Sequence, residues 1–325
     1  MTVALFTLGG TIAMAGTGSG GVVSRLTGAD LTAAVPGLAG IPLDVRDVEA
    51  VPSAALAYRQ ILDLVDAAGA AVADGAAGVV VTQGTDTLEE TAFLADLVWP
   101  HPEPLVFTGA MRNPTLAGPD GPANLLAAAR VAAAPVARDL GVLVAFNDEI
   151  HAARFVRKTH STSTATFASP NAGPLGHVIE GAVRLLTRPP RHAPLPPVDS
   201  DRLAATRVAL HTVTLDDDPA LLDALAPGLD GLVVAGFGVG HVPPDFAPAL
   251  GALAARMPVV LASRAGAGSV LRDTYGAVGS ETDLRRRGLV CGGLLDPYKA
   301  KVLLRMLLAG GAERAAVDAA FARHG

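Results

Sequence analysis

One stretch limits the choice of fold more than any other: Gly78-Val-Val-Val-Thr82-Gln83-Gly84-Thr85-Asp86-Thr87-Leu-Glu-Glu90-Thr91. Val79 to Val81 are consecutive β-branched residues and predict a buried strand running into Thr82. Gly84 breaks that strand. The pattern turns helical at once, with apolar Leu88, Ala92, Ala95 and Leu97. Thr87 and Glu90 stand at capping-box spacing, which predicts that the helix begins there. Thr85 and Asp86 therefore fall at the carboxyl end of a strand and the mouth of a helix, where open α/β sheets bind ligands. A hydroxyl beside a carboxylate can hydrogen-bond a small polar substrate or pass a proton. The same pair can equally be an N-capping turn with no further role.

The alternation recurs along the chain. Strands are predicted over residues 3–8, 43–48, 104–108 and 141–146. A helix is expected at 55–73, another runs to about 98, and a third is opened by Asp120 or Pro122. Residues 147–166 lack a helical period, and the polar–apolar alternation from Arg154 to Thr159 suggests a hairpin strand. From Thr187 to Arg202 there are five prolines in sixteen residues, a composition that makes a stiff, extended connection. A second pattern follows, with strands at 207–212, 231–236 and 258–263 and helices near 245–256, 298–308 and 312–323. The expected fold is α/β: a large, doubly wound, mainly parallel-sheet N-terminal domain plus a smaller α/β C-terminal domain. Residues 1–187 would form the first, catalytic domain, 188–205 the Pro-rich linker and 206–325 the second domain.

Composition narrows the function. A chain of 325 residues can bury two sizeable cores. Lys and Arg number 25 against 31 Asp and Glu, so the net charge is 25 − 31 = −6. With no basic run, nucleic acid is not an expected partner. Cys291 is the lone cysteine, which excludes an intrachain disulfide and a cysteine-based zinc site; no metal site is predicted. The first ten residues lack a basic n-region and read as a core strand rather than a signal peptide, and no apolar run is long enough to span a membrane. The expectation is a cytoplasmic protein without a membrane partner. The glycines of Thr7-Leu8-Gly9-Gly10-Thr11 fail the G-x-G-x-x-G spacing, and G-x-x-x-x-G-K-[ST] is absent. Asp30, in Thr27-Gly-Ala-Asp30, reads as part of a capped helix start. No cofactor is expected.

Several further positions can carry chemistry. Gly9 and Gly10 allow a sharp turn that presents Thr11 at the end of the first strand. Met14 to Val23, rich in glycine, reads either as a mobile lid over that threonine or as an ordinary flexible connection. Ser53 can cap the helix that follows it or point into the site. Only three residues are lysine, so Lys158, among the hydroxyls of Thr159, Ser161, Thr162, Ser163, Thr164 and Thr166, is either a held amine or a solvated surface residue. In the second half, Gly236-Phe-Gly238-Val-Gly240-His241 and Arg264-Ala-Gly266-Ala-Gly268-Ser269 follow strands and are placed to line a site.

Together these motifs resemble the bacterial-type L-asparaginase (asparaginase/glutaminase) family. The resemblance rests on Thr7 to Ala13 and Thr82 to Thr91. It also takes in Met111-Arg112 with Asp120-Gly121-Pro122 and Asn124, and Lys158-Thr159 with Phe167, Ser169 and Gly173-Pro174-Leu175-Gly176. Ser263-Arg264, Gly279 to Leu284 and Leu295 to Lys301 resemble the family's C-terminal domain. It implies hydrolysis of the side-chain amide of asparagine to aspartate and ammonia through an acyl-enzyme. Thr11 would be the lid-side nucleophile, and Thr85, Asp86 and Lys158 a second hydroxyl–carboxylate–amine set. Gly10, Ser53, Gly84, Thr85, Asp86, His241 and Glu281 would contact the amino-acid substrate. A homodimer or homotetramer with sites between subunits is also implied. Elementary chemistry agrees: a threonine hydroxyl is a weak nucleophile that needs a base or proton path, and backbone N–H groups near Gly10 or Gly84 could hold an oxyanion.

The chain departs from the family pattern at three places. The lid lacks the usual tyrosine; Ala54 stands where an acidic or amide residue is usual; His241 replaces an asparagine. These changes leave two alternatives beside asparagine hydrolysis: a related amidohydrolase acting on glutamine or another amide, and a non-catalytic asparagine or aspartate sensor.

Overall fold

The computed structural model describes residues 2–16, 22–24, 27–33 and 35–325. The chain forms two compact units, Met1–Pro194 and Leu195–Gly325. In the first, the strands in chain order are β1 (Val3–Thr7), β2 (Met14–Gly16), β3 (Val22–Ser24), β4 (Leu43–Asp47), β5 (Val79–Thr82) and β6 (Leu105–Thr108). Then come β7 (Val142–Phe146), β8 (Glu149–Ala152), β9 (Arg157–Lys158), β10 (Phe167–Ala168), β11 (Gly176–Ile179) and β12 (Ala182–Leu185). Eight of them make one sheet of order β12-β11-β8-β7-β6-β5-β1-β4. The run from β4 to β7 is parallel, and β8, β11 and β12 extend it antiparallel. The mainly parallel α/β fold expected from the sequence is the fold observed.

Burial explains the strand sequences. β1, β5, β6 and β7 are buried along their whole length, as befits parallel strands covered on both faces. Edge strand β4 instead carries Asp44 and Arg46, paired at 2.7 Å, charges that discourage pairing with another chain. Helices α1 (Gly28–Ala33) and α4 (Gly121–Ala133) contribute Leu31 and Leu125 to a core with Val3, Leu5, Val80, Val106 and Leu143. Helices α2 (Tyr58–Ala73) and α3 (Leu88–Asp96) pack against each other; α2 contacts β1 and β5, and α3 contacts β6 and β7.

The local signals held in part. Thr27 and Asp30 form the expected box at α1, with Asp30 Oδ2 accepting from Thr27 N at 2.9 Å and Thr27 Oγ1 from Asp30 N at 3.2 Å. The helix expected from residue 55 starts at Tyr58, after a separate 3-10 turn at Ser53–Ala55, so Ser53 does not cap it. The Ala57 N–H is satisfied by Gln60 Oε1 at 2.8 Å. Thr87 is the N-cap residue of α3, yet its hydroxyl donates to the Ser53 carbonyl at 3.0 Å, so the anticipated capping box is not made. β8, β11 and β12 were not anticipated. Their hairpins turn on Asn147 and Asp148 (φ 51° and 62°) and on Glu180 and Gly181 (φ 49° and 78°), paired positive dihedrals that suit two-residue turns. The hairpin strand expected at 154–159 is short: only Arg157 and Lys158 pair, with Ala168 and Phe167. β2 and β3 pair antiparallel, and the centre of the expected lid, residues 17–21, lies outside the described residues.

The second unit begins with α5 (Ser200–Ala205), capped by Asp199, at the end of a stretch that the prolines predict to be extended. It continues as β13 (Val208–Thr212), α6 (Ala220–Leu225), β14 (Gly231–Gly236), α7 (Phe246–Ala254), β15 (Val259–Ser263) and α8 (Glu281–Arg286). β16 (Val290–Cys291), α9 (Pro297–Ala309) and α10 (Arg314–His324) close the unit. The four strands form a parallel sheet in chain order, around a core that includes Leu232, Val234, Phe246, Leu250 and Leu261. Buried Lys299 is bound to Asp296 at 3.0 Å, so this rare lysine serves the start of α9. Among the described residues no helix is long and apolar enough to cross a membrane.

Candidate active site

The parallel order β4-β1-β5 reverses the winding direction between β1 and β5, and such a reversal opens a crevice at the strand ends. Thr7 and Thr82 are partners there, and Leu8 N donates to the Thr82 carbonyl at 2.9 Å. The two loops leave the sheet side by side. Gly9 and Gly10 both take positive φ, 86° and 89°. A Cβ on Gly10 would lie 2.2 Å from the Gly84 nitrogen, so no side chain fits and the loops pack backbone to backbone. Thr11 follows directly, half-buried, as the first residue of a 3-10 turn over Thr11–Ala13.

On the second loop, Thr85 is 6% exposed. Lys158 reaches it from β9: Nζ donates to Thr85 Oγ1 at 2.9 Å and to Asp86 Oδ1 at 2.8 Å. The Lys158 side chain is 16% exposed and that of Asp86 70%, so the amine sits between a buried hydroxyl and a carboxylate open to solvent. Of the two readings of Lys158, the held amine is the one observed. Ser53 is buried, and its Oγ accepts from Asp86 N at 3.2 Å. It also stands against Gly84, where a Cβ would come within 2.7 Å of the serine oxygen. Gly10, Ser53, Gly84, Thr85, Asp86 and Lys158 are thus brought together in the first unit, with Thr11 next to Gly10 in the chain.

Neighbours that the sequence did not single out as site residues brace this arrangement. Buried Gln83 donates from Nε2 to the Gly84 carbonyl at 3.2 Å and accepts from Thr91 Oγ1 at 2.9 Å, locking the loop onto α3. Arg157 lies 3.8 Å from buried Glu89 of α3, tying the strand that carries Lys158 to the helix that follows Asp86. Asp120, the N-cap residue of α4, spends its carboxylate on Met111 N and Arg112 N at 2.8 to 3.1 Å. Asn124 binds the Gly109 carbonyl at 3.1 Å, and a Cβ on Gly109 would meet the Gln83 carbonyl at 2.5 Å. Only the pairing of Asp120 and Asn124 with Met111-Arg112 had a sequence signal. Gln83, Glu89 and Arg157 look like ordinary helix and strand residues until the fold joins them.

His241 and Glu281 meet in the second unit, with Nε2 and Oε2 3.2 Å apart. The other carboxylate oxygen of Glu281 accepts from Tyr275 N at 2.7 Å and Thr274 N at 2.9 Å. Burial pushes the Glu281 carboxyl up, but these backbone N–H groups and His241 outweigh it and hold the carboxyl below the usual glutamate range. Tyr275 stands edge-on to the His241 ring, centroids 4.9 Å apart.

The geometry, a hydroxyl, an amine and a carboxylate in hydrogen-bonded series beside two glycine-bearing loops, can move a proton to and from a small polar substrate. Comparison with known proteins agrees with that chemistry. The family model "Asparaginase, N-terminal" matches residues 2–191, and "Glutaminase/Asparaginase C-terminal domain" matches residues 207–321. A probable L-asparaginase from Deinococcus radiodurans is 35% identical over 319 residues, covering 96% of this chain and 94% of that protein. An L-asparaginase from Bacillus licheniformis is 34% identical, covering 94% of this chain and 95% of that one. The crystal structure of a probable cytoplasmic L-asparaginase from Campylobacter jejuni superposes with a TM-score of 0.87 at 31% identity, over 99% of both chains.

Proposed function

The chain belongs to the bacterial-type L-asparaginase family, and on that premise we propose that it hydrolyses the side-chain amide of L-asparagine through a threonine acyl-enzyme. The observation that carries the proposal is the series Thr85 Oγ1–Lys158 Nζ–Asp86 Oδ1, at 2.9 and 2.8 Å. In the first step the Thr11 hydroxyl oxygen attacks the amide carbon, the C–N bond breaks, and ammonia leaves with the hydroxyl proton. In the second, a water molecule attacks the new ester, aspartate is released and the hydroxyl is restored. Thr85 and Lys158 supply the path along which the protons of these steps move, and Asp86 fixes the amine while its open edge receives the substrate's ammonium. Ser53 holds the backbone at Asp86 in place. In this reading His241 and Glu281 complete the site of a second copy in a homodimer or homotetramer, and the enzyme works in the cytoplasm.

Peptide-mass mapping of reactions quenched with acid tests the mechanism. With asparagine, the peptide bearing Thr11 should gain one aspartyl group, and Thr11→Ala should abolish that adduct. An adduct on Thr85 instead would exchange the roles of the two threonines.

A further inference from the structure

The second unit holds a cleft of about 530 Å³ that takes no part in the chemistry above. Four arginines, Arg272, Arg285, Arg286 and Arg314, face two acids, Asp273 and Asp318. The wall thus carries 4 − 2 = +2 on a chain whose net charge is −6. Two of the arginines are committed internally. Arg285 Nη1 donates to the Arg272 carbonyl at 2.6 Å and to Asp273 at 2.8 Å. Arg314 donates to the Gly288 carbonyl and lies 3.5 Å from Asp318. Among the described residues, the guanidinium groups of Arg272 and Arg286 have neither a hydrogen-bond acceptor nor an ion-pair partner. Asp283 feels the charge of Arg286, but its carboxylate is bound by Arg287 at 3.0 Å.

Guanidinium is a planar fork that matches carboxylate and phosphate oxygens two at a time. Two uncommitted forks in a wall of charge +2 suit a ligand of charge −2. The size falls within the range of small-molecule sites, about 300–1,000 Å³. Leu289 and Val290 give the cleft an aliphatic surface, and no aromatic ring lines it, so a compact aliphatic body fits better than a stacked base. We propose that this cleft binds a compact dianion, a phosphate or an aliphatic dicarboxylate, through Arg272 and Arg286. Its position gives the binding a consequence. Arg272 and Asp273 lead directly into Thr274 and Tyr275, the backbone clamp on Glu281, and Thr282 of the wall is the next residue after that glutamate. A bound dianion therefore stiffens the loop that holds Glu281.

Calorimetric titration of the full chain at low ionic strength tests the site. The probes are inorganic phosphate and succinate, with acetate as the monoanion control. Saturable binding of at least one dianion is expected, and the tighter of the two identifies the favoured group. The double variant Arg272→Gln/Arg286→Gln should weaken that binding at least ten-fold while melting like the wild type. Thr85→Ala should leave it unchanged, which separates this site from the proposed hydrolytic one. Absence of saturable dianion binding, dianion binding that survives the double substitution, or acetate binding as tight as either dianion would overturn the proposal.

Discussion

Thr85, Asp86 and Lys158 are connected by contacts under 3 Å, so each loss should be felt in chemistry before it is felt in folding. Thr11→Ala and Thr85→Ala should each lower asparagine turnover by about two orders of magnitude or more, the usual scale for a lost nucleophile or proton path. Circular dichroism melts should stay close to wild type, since neither side chain belongs to the apolar core. Near-normal rates in either variant would remove that threonine from the mechanism. A different residue contributes to acid stability. His151 is fully buried, with Nδ1 3.0 Å from Ser169 Oγ, and burial, reinforced by His177, lowers its pKa to about 4. Glu149 Oε2 lies 3.2 Å from Nε2. The unfolded chain takes up this proton from about pH 6.5 downward and the folded chain does not. Stability from this group is therefore complete above pH 6.5 and declines as pH falls toward 4, by about 2 to 3 kcal/mol. Urea titrations across that range should show the decline in wild type and a flatter profile in His151→Gln; parallel profiles would contradict it.

The loop–loop contact is a property of elements rather than of any one side chain. Gly10→Ala forces a Cβ into the Gly84 backbone at a φ of 89° and should cost at least ~2 kcal/mol, together with most of the activity. A thermal melt and an ammonia assay on the same preparation would check both; an unshifted melt would mean that the two loops are not in contact. This contact also marks how far the sequence could be read. β1, β5, β6, β7, β14 and β15 stood out because buried parallel strands are near-continuous apolar runs. Thr11, Thr85 and Asp86 were legible as loop residues at the ends of such strands. β8, β11 and β12 were not, because each is a four-residue antiparallel strand whose polar or partly exposed positions break the apolar run, and β16 pairs over only two residues. Their turns use Asn147-Asp148 and Glu180-Gly181, which lack the Asn-Gly or Asp-Gly signature of such hairpins. At Thr87 the hydroxyl makes no cap bond to α3 and instead donates to a tertiary acceptor, the Ser53 carbonyl. Lys158 was ambiguous for the same reason: its partners are 72 and 73 residues away along the chain, and only the fold brings them within reach.

At the scale of the whole molecule, the two units carry different parts of the proposed machinery: Thr11, Thr85, Asp86 and Lys158 in one, and His241 with Glu281 in the other. If Glu281 completes the site of a neighbouring copy, Thr11→Ala and Glu281→Ala proteins mixed under conditions of subunit exchange should regain activity that neither has alone. No recovery despite proven exchange would confine Glu281 to its own chain. The clamp of Thr274, Tyr275 and His241 around that carboxylate holds it below the usual glutamate range and so ionised at neutral pH. Ammonia release from asparagine, measured side by side for wild type and Lys158→Met with aspartate binding followed in both, decides whether the hydroxyl–amine–carboxylate series hydrolyses an amide. The wild type should release ammonia steadily, while the variant should fall by about a hundred-fold or more and still bind aspartate. Aspartate binding by the wild type with no ammonia released, or a variant that works at the wild-type rate, would contradict that role for the series.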